Sequence, residues 1–451
     1  MTGNQRTFFI TWIVVFSICA PLLISFFDSH GYSGLARASE QETGPGPSIS
    51  DSGLGTEIVF DGLDSPTSMA FLGSDDILVL EKNNGTVQRI VDGKMLDDPA
   101  LDVNVANKWT RGLLGIDIAG NSTTGQIYVF LYYTESSGGK DGNDQCPGRV
   151  CNPAEEPLGN RLYRYEFRDG KLINPKLLLD LPATPWPSEN GGPVRVGPDT
   201  NVYLVIGDLM NPRTIMSNND TGLPPDGSSG ILRVTQDGRP VGKGILGNEY
   251  PLNLYYAYGI RNSFGMDFDP LTGNLWDTEN GPEYGDEINL IKPGFNSGWM
   301  KVQGVWEPKS DEGDQDKPNH PGQTVIIPSD LINFQGKGRY HAPQFTWNET
   351  VAPTDLTFLG TDKLGEEYND DLFVATSSGK IYRFELNNDR TQLVLEASLN
   401  DRIAESSKPE DLEDIIFGQD FGVITDLEVG PDGNLYVLSY TDGTIYMIDE
   451  S

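Results

Sequence analysis

Thr425–Ile448 reads TDLEVGPDGNLYVLSYTDGTIYMI: an apolar strand, a Gly-Pro-Asp-Gly turn, a Leu-Tyr-Val strand and a second turn leading into Gly-Thr-Ile-Tyr. Thr354–Leu386, TDLTFLGTDKLGEEYNDDLFVATSSGKIYRFEL, repeats that grammar with a longer first turn. Earlier copies begin at Thr67 (TSMAFLGSDDILVLEKNNGTVQRI), at Leu113 (LLGIDIAGNSTTGQIYVFLYY, closed by NRLYRYEF at Asn160), at Gly191 (GGPVRVGPDTNVYLVIGD, closed by SSGILRV at Ser228) and at Ser263 (SFGMDFDPLTGNLWDTENGPEYGDEINLI). One unit of three or four short strands cannot bury both its faces, and radial packing of such sheets around a channel solves this. The pattern predicts an all-β chain, a six-bladed β-propeller. A pair of β-sandwiches is the alternative that short, evenly spaced strands also allow.

Working outward, the stretches on either side of the repeats are of other kinds. Residues Phe8–Phe27, FFITWIVVFSICAPLLISFF, form an uncharged run preceded by Arg6, long enough to span a bilayer as a helix. An Ala-x-Ala pattern at Ala36–Ala38 offers a cleavage site. We therefore expect residues 1–28 to be a signal peptide or membrane anchor, 29–55 a flexible Gly-, Ser- and Pro-containing linker, and 56–451 the propeller. The expected location is extracellular, or the outer face of the cytoplasmic membrane. Four Asn-x-Ser/Thr sequons, at Asn84, Asn121, Asn219 and Asn348, suit export.

With 32 basic and 66 acidic residues the chain carries a net charge of -34, which repels nucleic acid and favours cations. No nucleic-acid partner is expected. Of three cysteines, Cys146 and Cys151 share one loop, where an oxidising compartment allows a disulfide. The three histidines, His30, His320 and His341, fall in loop or linker sequence and read as exposed residues.

Several quoted stretches resemble one family. RGLLGIDI at Arg111, NGGPVRVGPDTNVYLVIGD at Asn190, YGIRNSFGMDFDPLTGNLW at Tyr258, ENGPEYGDEINLIKPGFNSGW at Glu279 and VITDLEVGPDGNLYVLS at Val423 are similar to the soluble pyrroloquinoline-quinone (PQQ) dependent glucose/sorbosone, or aldose sugar, dehydrogenases. The resemblance implies a propeller that oxidises a sugar, with PQQ accepting hydride and passing electrons to an acceptor that the sequence does not name. It implies catalytic roles for Glu189, standing where the family has a His base, and for Asp208, which would orient or tune it. Arg261 and Asn262 match cofactor contacts, while Thr110 and Phe264 occupy positions where the family has glutamines. Ile260 stands where it has a His, and Val423 and Thr425 where it has arginines. Calcium is implied at the carbonyls of Gly281 and Pro282, and at Glu287 with the Ser297 carbonyl. The acids Glu279, Glu283 and Asp286 lie close by in sequence, and a hard cation wants such oxygens.

Two other readings remain open: a non-catalytic, calcium-stabilised propeller binding glycans or proteins at the cell surface, and a calcium-dependent sugar lactonase using Glu189 or Asp208 to activate water. Trp186, Trp299 and Trp306 flank the interrupting loops, as a sugar-stacking platform or as fillers between blades.

Overall fold

The computed structural model describes residues 46–120, 124–142, 144, 157–305, 328–405 and 408–450. The apolar run, the cleavage pattern, His30, Asn121, Cys146, Cys151, Trp306 and His320 lie outside the described residues. Among those described, no helix is long and apolar enough to cross a membrane.

The chain is all-β in a β-propeller arrangement, with Glu410–Glu413 as a single helical turn. Its strands form six sheets. The innermost strands, in chain order, are Pro66–Gly73, Leu113–Gly120, Val194–Val196, Met266–Phe268, Pro353–Phe358 and Ile424–Val429. Each begins one of the sequence repeats and pairs antiparallel with the strand after it.

Six apolar clusters lie between neighbouring sheets rather than within one. Leu78 and Leu80 of the first sheet pack with Ile116 and Val129 of the second, and Phe130 of the second with Leu204 of the third. Val205 of the third meets Leu275 of the fourth, Trp276 of the fourth meets Leu356 of the fifth, and Phe373 of the fifth meets Leu427 of the sixth. Leu438 of the sixth meets Val79 of the first. Burial at about 25 cal/mol per Å² makes these shared faces the main adhesive of the molecule.

Polar staples repeat the same theme on the inner strands. Asp117 accepts the Val196 N–H at 2.5 Å, Asp267 the Phe358 N–H at 3.1 Å, Asp355 the Leu427 N–H at 2.8 Å and Asp426 the Met69 N–H at 2.6 Å. Every one of these bonds crosses from a sheet to the next.

The beginning of the described chain is structural where composition suggested a linker. Ser48–Ile49 pairs with Ile416–Gln419 on the fifth sheet, and Leu54–Phe60 pairs with Thr444–Glu450 as the outer strand of the sixth. Residues 48–49 and 54–55 thus belong to the folded body. Their backbone groups complete sheet edges that would otherwise stay unpaired.

Candidate functional site

Loops entering the inner strands converge on one end of the channel. The loop before Val194–Val196 carries Glu189 in a left-handed conformation, φ 59°, followed by Gly191 at φ 72°. A Cβ on Gly191 would lie 2.2 Å from the Val205 carbonyl oxygen, so only glycine lets the loop press onto that strand. Asn262 Oδ1 accepts the Gly191 N–H at 3.0 Å and ties this loop to the next sheet's entry loop.

Glu189 and Arg261, assigned from sequence as base and cofactor contact, are partners in one ion pair. Arg261 Nη2 donates to Glu189 Oε1 at 2.8 Å, with both side chains 14% exposed. Its Nη1 donates to the Asn280 carbonyl at 3.0 Å. The guanidinium expected to face a cofactor carboxylate is thus already matched by a carboxylate of the protein.

Asp208, two residues beyond Val202–Ile206, is 3% exposed. Its Oδ2 accepts Trp299 Nε1–H at 2.8 Å and its Oδ1 the Met210 N–H at 2.7 Å. Burial pushes its carboxyl up to about 7; Arg261 opposes the shift and Glu189 adds to it. Arg261 also sits 5.7 Å from the Trp299 ring centroid. Glu189, Asp208, Arg261 and Trp299 therefore form one coupled group at the rim.

A cavity at the channel is lined by residues of the inner strands or of the loops entering them; Gly191, two positions after Glu189, is among them. Thr67, Thr110, Pro193, Phe264, Asp355 and Thr425 mark its circumference. Thr110, Phe264, Val423 and Thr425, four of the positions where residue types depart from the resemblance, all line it. Lys82, 3% exposed, donates to Asn83 Oδ1 at 2.9 Å and to the Asn107 carbonyl at 3.2 Å, and burial lowers its pKa to about 7. Arg195 lies 3.1 Å from Glu428 and 3.9 Å from Asp267. Ile260 does not reach the cavity as a polar group; it is fully buried between sheets.

The residues matched to calcium ligands fall behind the rim. Gly281 donates its N–H to Asp286 Oδ1 at 2.8 Å, and a Cβ there would strike the Tyr284 carbonyl. Asp286 also accepts the Val351 and Ala352 N–H groups at 2.7 Å each, so it braces backbone. Glu283 is exposed. Glu287, 1% exposed, accepts the Gly304 N–H at 2.6 Å and Ser297 Oγ–H at 3.2 Å. It pairs in register with Glu279, and Asp277 with Asn289, on the adjoining strands Leu275–Glu279 and Tyr284–Ile291. Glu279 and Asp277 are both fully buried. Burial, then the neighbouring Glu287 charge, raises both carboxyls well above their ordinary range.

Sequence reasoning passed over Asp277, Lys82, Arg195, Asp355 and Asp426 as functional candidates. A signal existed for two of the acids: an Asp recurs in the inner-strand segments IDI, MDF, TDL and TDL.

Residues 63–447 match the family model described as Glucose / Sorbosone dehydrogenase. The chain is 26% identical to the protein slr1608 of Synechocystis, over 84% of this chain and 82% of that one. It is 24% identical to aldose sugar dehydrogenase YliI of Escherichia coli, over 86% and 90%. Its fold matches the PQQ-bound aldose sugar dehydrogenase of Streptomyces coelicolor with a TM-score of 0.58 at 20% identity, covering 88% of this chain and 98% of that one. This chain belongs to the Glucose / Sorbosone dehydrogenase family.

Proposed function

We propose that this family member is a calcium-stabilised propeller of six blades that binds a sugar at the mouth of its channel, outside the cytoplasmic membrane. The six sheets and their cyclic sequence of shared cores support the blade count. The uncharged run Phe8–Phe27 and the sequons support the location. The observation that carries the sugar reading is the coupled group Glu189, Asp208, Arg261 and Trp299, joined through Gly191 and its bond to Asn262 to a cavity whose lining mixes hydroxyl side chains with apolar ones. Planar carboxylate and guanidinium groups exchange hydrogen bonds with sugar hydroxyls, and an indole offers its face to the apolar side of the ring.

PQQ carries several carboxylates, and these residues do not fit it. Lys82 and Arg195 are the basic side chains lining the cavity among the described residues. Lys82 has its charged form disfavoured by burial, while the Arg195 charge is met by Glu428, Asp355, Asp267 and Asp426. Val423 and Thr425 bring no charge, and Arg261 is matched by Glu189.

A hard cation does fit. Asn289 Oδ1 and Gln303 Oε1 are buried acceptors without a hydrogen-bond donor, and the buried Asp277 carboxyl has only the Asn289 side chain to help it, close to Glu279 and Glu287. Buried acids in this number call for a countercharge. No three acidic, histidine or cysteine side chains among the described residues already form a cage, so calcium would also draw on amide and carbonyl oxygens, Ser297 included. Bound there, it would neutralise the buried acids and fix the loop behind Gly281.

The test is isothermal titration of the protein in calcium buffer with neutral aldoses, alongside a visible-absorption titration with PQQ. Saturable aldose binding without a stoichiometric quinone chromophore is expected. A stoichiometric chromophore with calcium-dependent sugar oxidation would overturn the reading. It would favour instead the family's oxidation chemistry, for which one observation speaks: a buried Asp208 titrating near neutrality suits a general base.

A further inference from the structure

The floor of the cavity has inverted charge relative to what a polycarboxylate needs. Asp355 and Asp426, 2% and 3% exposed, stand at its bottom on neighbouring inner strands. Each commits Oδ2 to its staple, Asp355 to the Leu427 N–H and Asp426 to the Met69 N–H. The two side chains also lie within hydrogen-bonding reach of each other. Thr354, on the same wall and 9% exposed, has a buried Oγ1 with no hydrogen-bond partner. Arg195, the neighbouring cation, lies 3.1 Å from Glu428 and is shared among Glu428, Asp355, Asp267 and Asp426, so one guanidinium faces four acids. Lys82 spends donors on Asn83 and Asn107.

We propose that this floor recognises a primary ammonium group carried on a sugar-sized, hydroxyl-bearing body, an amino sugar, through Asp355, Asp426 and Thr354. The proposal rests on the sugar reading above and adds the ligand's charge to it. An ammonium group brings three donors, and the floor offers two carboxyls and one unsatisfied hydroxyl. Two adjacent carboxylates repel, so one stays protonated until a cation arrives; an ammonium ion relieves that repulsion, whereas a neutral hexose leaves it in place. A divalent metal is less suited, because it wants several carboxylate or carbonyl oxygens, and beyond the two acids, each already holding a backbone N–H, this lining adds neutral hydroxyls and apolar side chains. An acidic sugar meets the wrong sign of charge.

Isothermal titration of the full chain in calcium buffer with D-glucosamine, D-glucose, N-acetyl-D-glucosamine and D-glucuronate tests this. Charge-assisted hydrogen bonds are roughly twice as strong as neutral ones, so glucosamine should bind about tenfold tighter than glucose. Acetylation should erase that gain. Asp426→Asn should reduce the preference to about twofold or less, while its amide oxygen still accepts the Met69 N–H and holds the fold; Thr354→Val, which touches no staple, should narrow it as well. Equal binding of glucose and glucosamine, or a preference for glucuronate, overturns the inference and leaves the sugar reading standing. Absence of binding by every sugar tested overturns both.

Discussion

Glu189 occupies a backbone conformation that costs a side-chain-bearing residue about 1 kcal/mol, and its carboxylate is held by Arg261. Replacing it with Ala leaves the guanidinium half-desolvated without its partner. The expected cost is roughly 1–3 kcal/mol, with Glu189→Gln losing less, read from urea denaturation midpoints. Glu189→His should bring no sugar oxidation, because it sets an imidazole against Arg261 and leaves Val423 and Thr425 unchanged. Trp299→Phe makes a second residue-level case. The indole N–H favours ionised Asp208, so its removal should move that carboxyl still higher, seen as a shifted carboxyl titration by ¹³C NMR. Each of these residues was visible in the sequence as a candidate. Their pairing was not, because Glu189 and Arg261 are 72 positions apart and only closure of the loops brings them together.

Strands and turns were the most legible elements, because each repeat carries a local signal: a Gly or Asp turn between two runs rich in Val, Ile, Leu and Tyr. Leu54–Phe60 was harder to place, since no second copy of LGTEIVF exists and its partner, Thr444–Glu450, lies at the far end of the chain. Its first two residues, Leu54 and Gly55, were consequently read as linker. This pairing joins the two ends of the folded region, so removing residues up to 60 should bare the edge of the sixth sheet and the apolar face beneath Tyr446 and Ile448. A loss of several kcal/mol, with a lower and broader thermal transition, is expected from calorimetry. The recurrence of the staple acids was visible in the sequence, but their partners were not. Asp267 accepts a backbone N–H from a strand 91 positions away and faces Arg195, contacts that only closure of the ring creates. Asp267→Ala should cost about 2–4 kcal/mol by orphaning the Phe358 N–H and weakening the neutralisation of Arg195.

At the scale of the whole molecule, the net charge of -34 was read from composition as repelling nucleic acid and favouring cations, without a place in the fold. Part of it proves to be internal, in the acids around Arg195 and in the group about Glu287, and this ties stability to both cations and protons. Calcium that binds only the folded chain should raise its stability by about 2.7 kcal/mol at a hundredfold excess over Kd, a shift that chelator reverses in thermal melts. The proton dependence has a definite sign. Burial pushes Asp117 up to about 6, with Arg195 opposing, from a value near 3.8 when the carboxyl is exposed. Between these pH values the folded chain holds a proton that the unfolded chain has released, so stability falls as pH rises through the window. The contribution is fully present below about pH 4 and gone above about pH 6. A shift of about two pH units at roughly 1.4 kcal/mol per unit sets an upper bound near 3 kcal/mol for this one group. Repulsion among surface carboxylates acts in the same direction but is screened by salt, whereas the buried term is not. Denaturation curves in chelator and about 0.5 M salt, from pH 4 to 7, should therefore retain a downward slope that Asp117→Asn flattens between pH 4 and 6. An unchanged slope in that variant would place the proton uptake elsewhere in the channel, with Asp355, pushed up to about 7 by burial, the next group to replace.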